Sequence, residues 1–308
     1  MNTLNKLKNI PAVLLYTWII SFHISCDSKP FGQQADSLFL ETSNLSFHYD
    51  LKRPSEKYFL PYVLEEVSGL SFKAPNHLLA VDDETGKIFE YDIKERKIVH
   101  SIEFQRPDDY EGVEFVNDTI YVLRNDGDIF SFKYDAYKKV RSRKSENELS
   151  KKNDTEGLGY DPRFNELLIA CKENGGIEDK KLKGRCFYTY SIGDNKLRTE
   201  PLFCIRPKHL KAFWEQKKEI DYNVERIKFK PSAISLHPID NNYYILSSVG
   251  KLLVVVTRDG TIQATYPISP KVLGQPEGLC FDPNGDMYIS SEGEGDRGYI
   301  LKFPMIKD

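Results

Sequence analysis

The segment Pro276-Glu277-Gly278-Leu279-Cys280-Phe281 is the last of five similar phrases, each with a small residue at its centre. The other four are Val67–Phe72, Tyr110–Phe115, Thr155–Tyr160 and Pro231–Leu236. Their central residues lie at positions 69, 112, 157, 233 and 278, which gives intervals of 43, 45, 76 and 45 residues. A period of about 40 to 50 residues in strand-rich units is typical of β-propeller blades. The sequence therefore predicts an all-β fold with five blades.

Each predicted blade contains short runs rich in β-branched and aromatic residues, separated by turn residues. Asp259-Gly260 and Asp282-Pro283-Asn284-Gly285-Asp286 are strong turn signals between such runs. Only 30 residues follow Gly278, which is enough for three strands of the fifth blade. We therefore expect the segment around Phe47–Leu60 to supply the fourth strand and close the ring, because closure removes exposed sheet edges.

The long third interval contains two insertions and no additional blade. The first is the charged loop Lys172–Arg185, and the second is Pro207–Val224. The second insertion carries apolar residues near helical spacing, namely Leu210, Phe213, Trp214 and Ile220. This spacing predicts one inserted helix in the third blade, with its apolar stripe packed on the rim of the propeller. A helix that docks a partner protein is the alternative.

Residues 1–26 are predicted to be a targeting segment. Lys6 and Lys8 precede Pro11–Ile24, an apolar run that is too short to span a membrane comfortably. Ile24-Ser25-Cys26 is similar to the end of a bacterial lipoprotein signal, which predicts lipidation of Cys26. A cleavable secretory signal and an uncleaved anchor are the alternatives. The lipoprotein interpretation places the protein in the bacterial cell envelope, lipid-anchored, with the outer membrane as the expected location.

The predicted organisation is a signal peptide at 1–26, a polar tether at 27–44 and one propeller domain at 45–308. The chain of 308 residues is 40% hydrophobic and carries a formal charge of −3, as expected for one globular domain. That charge, without a basic stripe, argues against binding to nucleic acid. The basic run Lys138–Lys144 fits an outer edge strand. We expect a monomer.

Four cysteines follow Cys26, and their spacing matches no zinc pattern. They are Cys171, Cys186, Cys204 and Cys280. Cys171 and Cys186 bracket the charged loop at the ends of two predicted strands, so a disulfide between them is one interpretation. Buried free thiols that act as small hydrophobic side chains are the other.

An acidic or hydroxyl residue precedes the small residue of every phrase. Glu111, Glu156 and Glu277 occupy this position in three blades, and Ser68 and Ser232 occupy it in the other two. The first strand of each blade lines the central channel, so these side chains should meet at one mouth. Neighbouring carboxylates repel one another, and protonation, basic partners or a cation must offset their charge. Ca²⁺ suits such oxygen ligands. The alternative is that these residues cap backbone amides at blade turns.

A second set of polar residues follows the second strand of each blade, and antiparallel pairing should place it beside the first set. Its members are Asp82-Asp83-Glu84, Asn125-Asp126, Lys172-Glu173-Asn174, Ser247-Ser248 and Ser291-Glu292. Glu173 and Glu292 therefore join Glu111, Glu156 and Glu277 as predicted calcium ligands. No G-x-S-x-G or H-E-x-x-H motif is present, and no catalytic residue is identified.

These phrases resemble the SdiA-regulated family of bacterial envelope proteins, which are distant relatives of NHL-repeat propellers. The resemblance spans about Leu64 to Phe303 and is carried by EEVSGLSF, DDYEGVEF, NDTEGLGYD and GQPEGLCFDPNGDMYISSE. It implies a five-bladed propeller with a bound calcium ion and supplies no reaction. The enlarged third blade departs from the family pattern.

Three functions follow as hypotheses. The first is an envelope-tethered, calcium-binding propeller that binds a protein or small molecule at its mouth or acts as a scaffold. The second is a metal-dependent hydrolase of the lactonase, esterase or phytase type, in which an axial Ca²⁺ polarises the substrate. The third is a protein-docking module that uses the helix around Trp214, which requires the apolar face of that helix to be exposed.

Overall fold

In the computed structural model, residues 47–136, 139–178, 180–217, 228–293 and 295–306 are described. The predicted signal peptide at 1–26, with the predicted lipidation site Cys26, and the predicted tether at 27–44 lie outside these residues. All described residues belong to one compact unit, 37–308. Within the described part of the chain, no helix is both long and apolar enough to cross a membrane.

The alternating apolar runs form five antiparallel sheets, one for each predicted blade. The first described elements are β1 (Glu56–Phe59) and a 3-10 turn (Tyr62–Leu64). Blade one comprises β2 (Val67–Ala74), β3 (His77–Asp82), β4 (Lys87–Asp92) and β5 (Lys97–Glu103). Blade two comprises β6 (Tyr110–Val116), β7 (Thr119–Arg124), β8 (Ile129–Lys133) and β9 (Arg143–Ser145). The prediction of a five-bladed, all-β propeller is confirmed.

Blade three is the enlarged one, with β10 (Thr155–Asp161), β11 (Glu166–Cys171), β12 (Arg185–Ser191), β13 (Lys196–Leu197) and β14 (Phe203–Ile205). Helix α1 (Pro207–Lys217) follows it. Blade four comprises β15 (Lys230–Leu236), β16 (Tyr243–Val249), β17 (Leu252–Val256) and β18 (Ile262–Pro267). Blade five comprises β19 (Pro276–Phe281), β20 (Met287–Ser291) and β21 (Tyr299–Phe303).

The N-terminal strand completes blade five, as predicted. Strand β1 pairs antiparallel with β21, with Tyr58 opposite Ile300. Next to this pair, the Leu60 amide donates a hydrogen bond to the Gly298 carbonyl over 2.8 Å. The closure gives β21 a partner on both sides and so removes an exposed sheet edge.

The apolar core lies in layers between neighbouring blades. Leu70 and Phe89 of blade one pack in one cluster with Tyr288 and Ile300 of blade five. The inner strands β2, β6, β10, β15 and β19 approach one another closely around the axis. A Cβ atom at Gly112 would lie 2.5 Å from the Leu158 Cβ of the next inner strand. This close approach explains why the centre of every phrase is glycine or alanine.

Helix α1 packs on the propeller and presents its apolar face inward. Leu210, Phe213 and Trp214 are buried, with at most 4% of their surface exposed. The Trp214 indole N–H donates a hydrogen bond to the Thr265 hydroxyl in β18. The described part of the insertion therefore matches the rim-packing prediction and not the docking alternative. Ile220, the last residue of the predicted stripe, lies outside the described residues.

The disulfide joins Cys186 to Cys204, so the predicted Cys171–Cys186 pairing is wrong. Strand β14 was not foreseen from the sequence. It pairs with β12 and places Cys204 directly opposite Cys186, with their Cα atoms 4.0 Å apart. Cys171 and Cys280 are buried free thiols, as the second interpretation had it.

Candidate functional site

The recurring acidic or hydroxyl residue lies at a β-bulge in each of the five inner strands. The strand register shifts between Val67 and Gly69, Tyr110 and Gly112, Thr155 and Gly157, Pro231 and Ala233, and Pro276 and Leu279. A bulge changes the direction of a side chain and interrupts the regular ladder. The five blades therefore repeat one local geometry around the axis.

The five bulge residues line one axial cavity of about 10 Å³, together with the small residues that follow them. They are Ser68, Glu111, Glu156, Ser232 and Glu277. A cavity of this size holds about one water molecule or one small ion. These side chains therefore converge on one cavity, as the sequence predicts.

The two serines tie neighbouring blades together. The Ser68 hydroxyl donates to the Tyr110 carbonyl over 2.8 Å, and the Ser232 hydroxyl donates to the Pro276 carbonyl over 2.8 Å. Each bond runs to the residue that precedes the next blade's glutamate. The serines therefore bond backbone carbonyls of the next blade, and not the backbone amides of the alternative interpretation.

The three glutamates are close enough together to perturb one another, with Glu156 and Glu277 buried and Glu111 partly buried. Burial raises the pKa of Glu111 well above its usual range, and the carboxylates of Glu156 and Asp109 add to the rise. Burial also raises the pKa of Glu277 to about 8, with Glu156 and Glu292 contributing. For Glu156, burial raises the pKa to about 7, although Lys172 opposes the rise. A carboxyl group with a raised pKa loses its proton more readily when a cation binds beside it.

Lys172 is the basic partner that balances part of this charge. Its ammonium lies 2.6 Å from the Glu156 carboxylate. Burial lowers the pKa of Lys172, but Glu156 and Glu277 raise it by more, so it stays above its ordinary value. The lysine therefore remains charged at the mouth of the cavity.

Further oxygen-bearing side chains surround the same mouth. Burial raises the pKa of Glu292 to about 7, with help from Glu66 and Glu156. Burial and Glu66 likewise raise the pKa of Asp83 to about 7. Asp83 Oδ1 and Asn125 Oδ1 are both buried and have no hydrogen-bond partner among the described residues. Unpaired buried oxygens are rare in folded proteins, so this pair requires an explanation.

Glu173 lies apart from the other predicted ligands. Its carboxylate forms an ion pair with the Lys230 ammonium, and the Arg185 guanidinium is 3.6 Å away. The hydrogen bond from Lys230 lowers the pKa of Glu173. The structure therefore brings Glu111, Glu156, Glu277 and Glu292 together, but directs Glu173 towards basic neighbours.

Sequence reasoning placed Asp83 and Lys172 in the second polar set without giving either a role, and it missed Asp109 as a member of the site. Asp83 and Lys172 belong to the polar groups that follow the second strands, so their positions were detectable. Asp109 precedes its phrase by one residue and carried no signal of its own.

The residue types at the mouth fit a hard cation, since Ca²⁺ takes carboxylate and amide oxygens as ligands. In the present side-chain arrangement, the described residues contain no group of three acidic, histidine or cysteine side chains able to hold a metal ion at once. In this arrangement, the Lys172 ammonium pairs with the Glu156 carboxylate.

The raised pKa values predict a specific pH dependence of stability. The folded state binds more protons than the unfolded chain between about pH 4 and pH 8, because these acids have higher pKa values when folded. Without added calcium, stability should fall as the pH rises through this window and level off above it. We expect the free energy of unfolding of Glu277→Gln, relative to that of the parent, to be at least about 1 kcal/mol higher at pH 8 than at pH 5. Urea unfolding of both proteins at pH 5 and at pH 8 measures the difference between their free energies of unfolding. The same difference at the two pH values would contradict the prediction.

Comparison with known proteins supports the fold and the family. The SdiA-regulated family model matches residues 45–295. No curated protein matches the chain. Among solved structures, the chain is similar to a luciferin-regenerating enzyme, with 11% identity over 83% of this chain and 94% of that chain and a TM-score of 0.46.

Two further structures show the same level of similarity. A gluconolactonase from Xanthomonas campestris has 11% identity over 77% of this chain and 72% of that chain, with a TM-score of 0.48. Virginiamycin B lyase from Staphylococcus aureus has 14% identity over 82% of this chain and 74% of that chain, with a TM-score of 0.43. Similarity this low carries no inference about activity. The family match, in contrast, covers most of the chain and includes all five phrases, so the protein belongs to the SdiA-regulated family.

Proposed function

We propose that this protein is a calcium-binding β-propeller of the bacterial cell envelope, with a binding or scaffolding role and no reaction of its own. The observation that carries the proposal is the convergence of Glu111, Glu156 and Glu277 in one axial cavity. The lipid anchor at Cys26 and the envelope location are part of the proposal and rest on the sequence of residues 1–26.

The electrostatics of the mouth support a divalent ion as the ligand. Three carboxylates, of which those of Glu156 and Glu277 are buried, line one cavity. The pKa of Glu277 is raised to about 8 because burial and neighbouring carboxylates disfavour its charge. A divalent cation supplies two positive charges within a small volume and accepts oxygen ligands in flexible geometry. Asp83 Oδ1 and Asn125 Oδ1 lack partners among the described residues and offer further oxygens nearby.

The hydrolase alternative receives less support. Metal-assisted hydrolysis requires a free coordination position beside the ion and a base within hydrogen-bond reach of the attacking water. The axial cavity of about 10 Å³ has room for an ion but not for a substrate. A ligand that approaches from the mouth side would meet Glu292 and Lys172. We therefore favour binding at the mouth over catalysis inside the channel.

Calorimetric titration of the purified protein with Ca²⁺ at pH 8 tests the proposal. We expect saturable binding of about one ion, weakened at least about tenfold in Glu111→Gln, Glu156→Gln and Glu277→Gln, because each change removes a charged oxygen ligand. Glu114→Gln is the matched control. Glu114 is also a buried glutamate of an inner strand, with a pKa raised to about 8 by burial, but it bonds Ser71 and does not line the cavity.

The control variant should bind calcium within about twofold of the parent, a difference well below 1 kcal/mol. Absence of saturable binding in the parent, with the glutamine variants at least as stable as the parent, would remove both the calcium proposal and the hydrolase alternative. A search for protein partners at the mouth would then be the next step.

A further inference from the structure

One position that is equivalent in all five blades carries a cationic side chain in blade three. In each blade, one residue at or near the end of the second strand pairs with the first residue of the phrase. These residues are Asp82, Arg124, Cys171, Ser247 and Ser291. The residue that follows is therefore equivalent in all blades, and these residues are Asp83, Asn125, Lys172, Ser248 and Glu292. Four blades place an oxygen-bearing side chain there. Blade three places an ammonium group.

The Lys172 ammonium acts on the whole acidic cluster. It lies 2.6 Å from the Glu156 carboxylate. Burial raises the pKa of each of the four acids at the mouth, and Lys172 opposes the rise in every case; these acids are Glu111, Glu156, Glu277 and Glu292. An ammonium that lies beside the Glu156 carboxylate at the mouth of the cavity occupies the electrostatic position that an external cation would take.

The same side chain is able to leave. Lys172 keeps 30% of its side-chain surface exposed, whereas the Glu156 side chain keeps 8%. The carboxylate is thus fixed inside the cavity, and the lysine reaches it from the solvent side. Four rotatable bonds let the ammonium swing into water, where it is strongly hydrated.

We propose that Lys172 is a tethered counter-ion that must be displaced before an external cation can bind at the axial site. This inference rests on the proposed calcium-binding function and adds a regulatory residue to it. Two cations within a few ångströms repel each other strongly in a partly buried site. The lysine therefore lowers the affinity of the site for calcium. It also discriminates against monovalent ions, because their single charge is no larger than that of the ammonium group that they would replace.

The test is calorimetric titration of Lys172→Met with Ca²⁺ at pH 8, beside the parent protein and Lys230→Met. Lys230 is a suitable control because its side chain is 34% exposed, and it pairs with Glu173, which does not line the cavity. We expect Lys172→Met to bind calcium at least about tenfold more tightly than the parent, since a repulsive charge is removed. Lys230→Met should stay within about twofold of the parent.

The outcomes separate this inference from the proposed function. If Lys172→Met binds calcium and the parent does not, no ion displaces the lysine in the parent, so both the proposed function and the displacement inference are overturned and the lysine is a permanent counter-ion. If both bind equally, the inference is overturned while calcium binding stands. If neither binds, both proposals fail.

A measurement on the unmodified protein covers the case in which Lys172→Met does not fold. Acylation of lysines, followed by mass spectrometry, reports how accessible each ammonium group is. Saturating calcium should increase the acylation rate of Lys172 several-fold and leave that of Lys230 unchanged, because only Lys172 is displaced into water. Unchanged or slower acylation of Lys172 on saturation with calcium would overturn the inference.

Discussion

Replacing Asp161 with alanine is expected to lower the free energy of unfolding by about 3–5 kcal/mol, the range for breaking a buried ion pair. Asp161 is fully buried at the end of the inner strand of blade three. Its carboxylate accepts hydrogen bonds from Arg163 over 2.7 Å, from Arg258 over 3.2 Å and from the Tyr243 hydroxyl over 2.6 Å. Removal of the carboxylate leaves two guanidinium groups without this anion and breaks a link between blades three and four.

Urea unfolding at neutral pH measures this loss. Asp194→Ala is the control, because Asp194 lies in an exposed turn and, among the described residues, bonds the nearby Ser191. Its free energy of unfolding should stay within about 0.5 kcal/mol of the parent. A similar small change for Asp161→Ala would show that the two arginines find other partners, and that the inter-blade network does not depend on this carboxylate.

The substitution Gly112→Ala is expected to cost about 3 kcal/mol, at the upper end of the range for overpacked cores. The new Cβ atom would lie 2.5 Å from the Leu158 Cβ and 2.9 Å from the Leu158 amide nitrogen. Neither atom is the end of a flexible side chain, so two inner strands must move apart. Because the inner strands form a closed ring, such a movement strains the neighbouring blades as well.

Thermal or urea unfolding tests this effect, with Gly193→Ala as the matched control. A Cβ atom at Gly193 would meet no atom within 4 Å, so the same chemical change has no steric cost there. The control should leave stability nearly unchanged or slightly higher, because alanine reduces the freedom of the unfolded chain. Equal stability of Gly112→Ala and Gly193→Ala would contradict the close approach of the inner strands.

The blade count was predictable because every blade needs the same small residue where its inner strand meets the next one. Four of the five phrases have glycine at this centre, and the remaining phrase, Pro231–Leu236, has Ala233. The closing strand was also predictable, since only 30 residues remained after Gly278. Both inferences depend on residue spacing along the chain, which the sequence displays directly.

The disulfide could not be predicted from spacing. Cys171 and Cys186 bracket a loop, and that arrangement made them look like partners. Strand β14 is only three residues long, yet it brings Cys204 opposite Cys186. A strand this short carries too little pattern to be detected before the sheet around it is known.

The candidate site was predicted in its location but not in its composition. The position of Glu111, Glu156 and Glu277 at the axis followed from the repeat, because equivalent residues of a ring must face the same channel. Lys172 and Glu173 are neighbours in the sequence, and both were assigned to the same mouth. In the structure, Lys172 pairs with Glu156, while Glu173 pairs with Lys230.

The sequence by itself thus determined the fold class, the number of blades and the ring of acidic residues, because these depend on local pattern and on a period. Tertiary structure alone decided which cysteines pair, which carboxylates meet a basic partner and which oxygens stay without one. Those outcomes depend on distances between side chains from different strands, and a change of one residue along a strand directs a side chain to the opposite face.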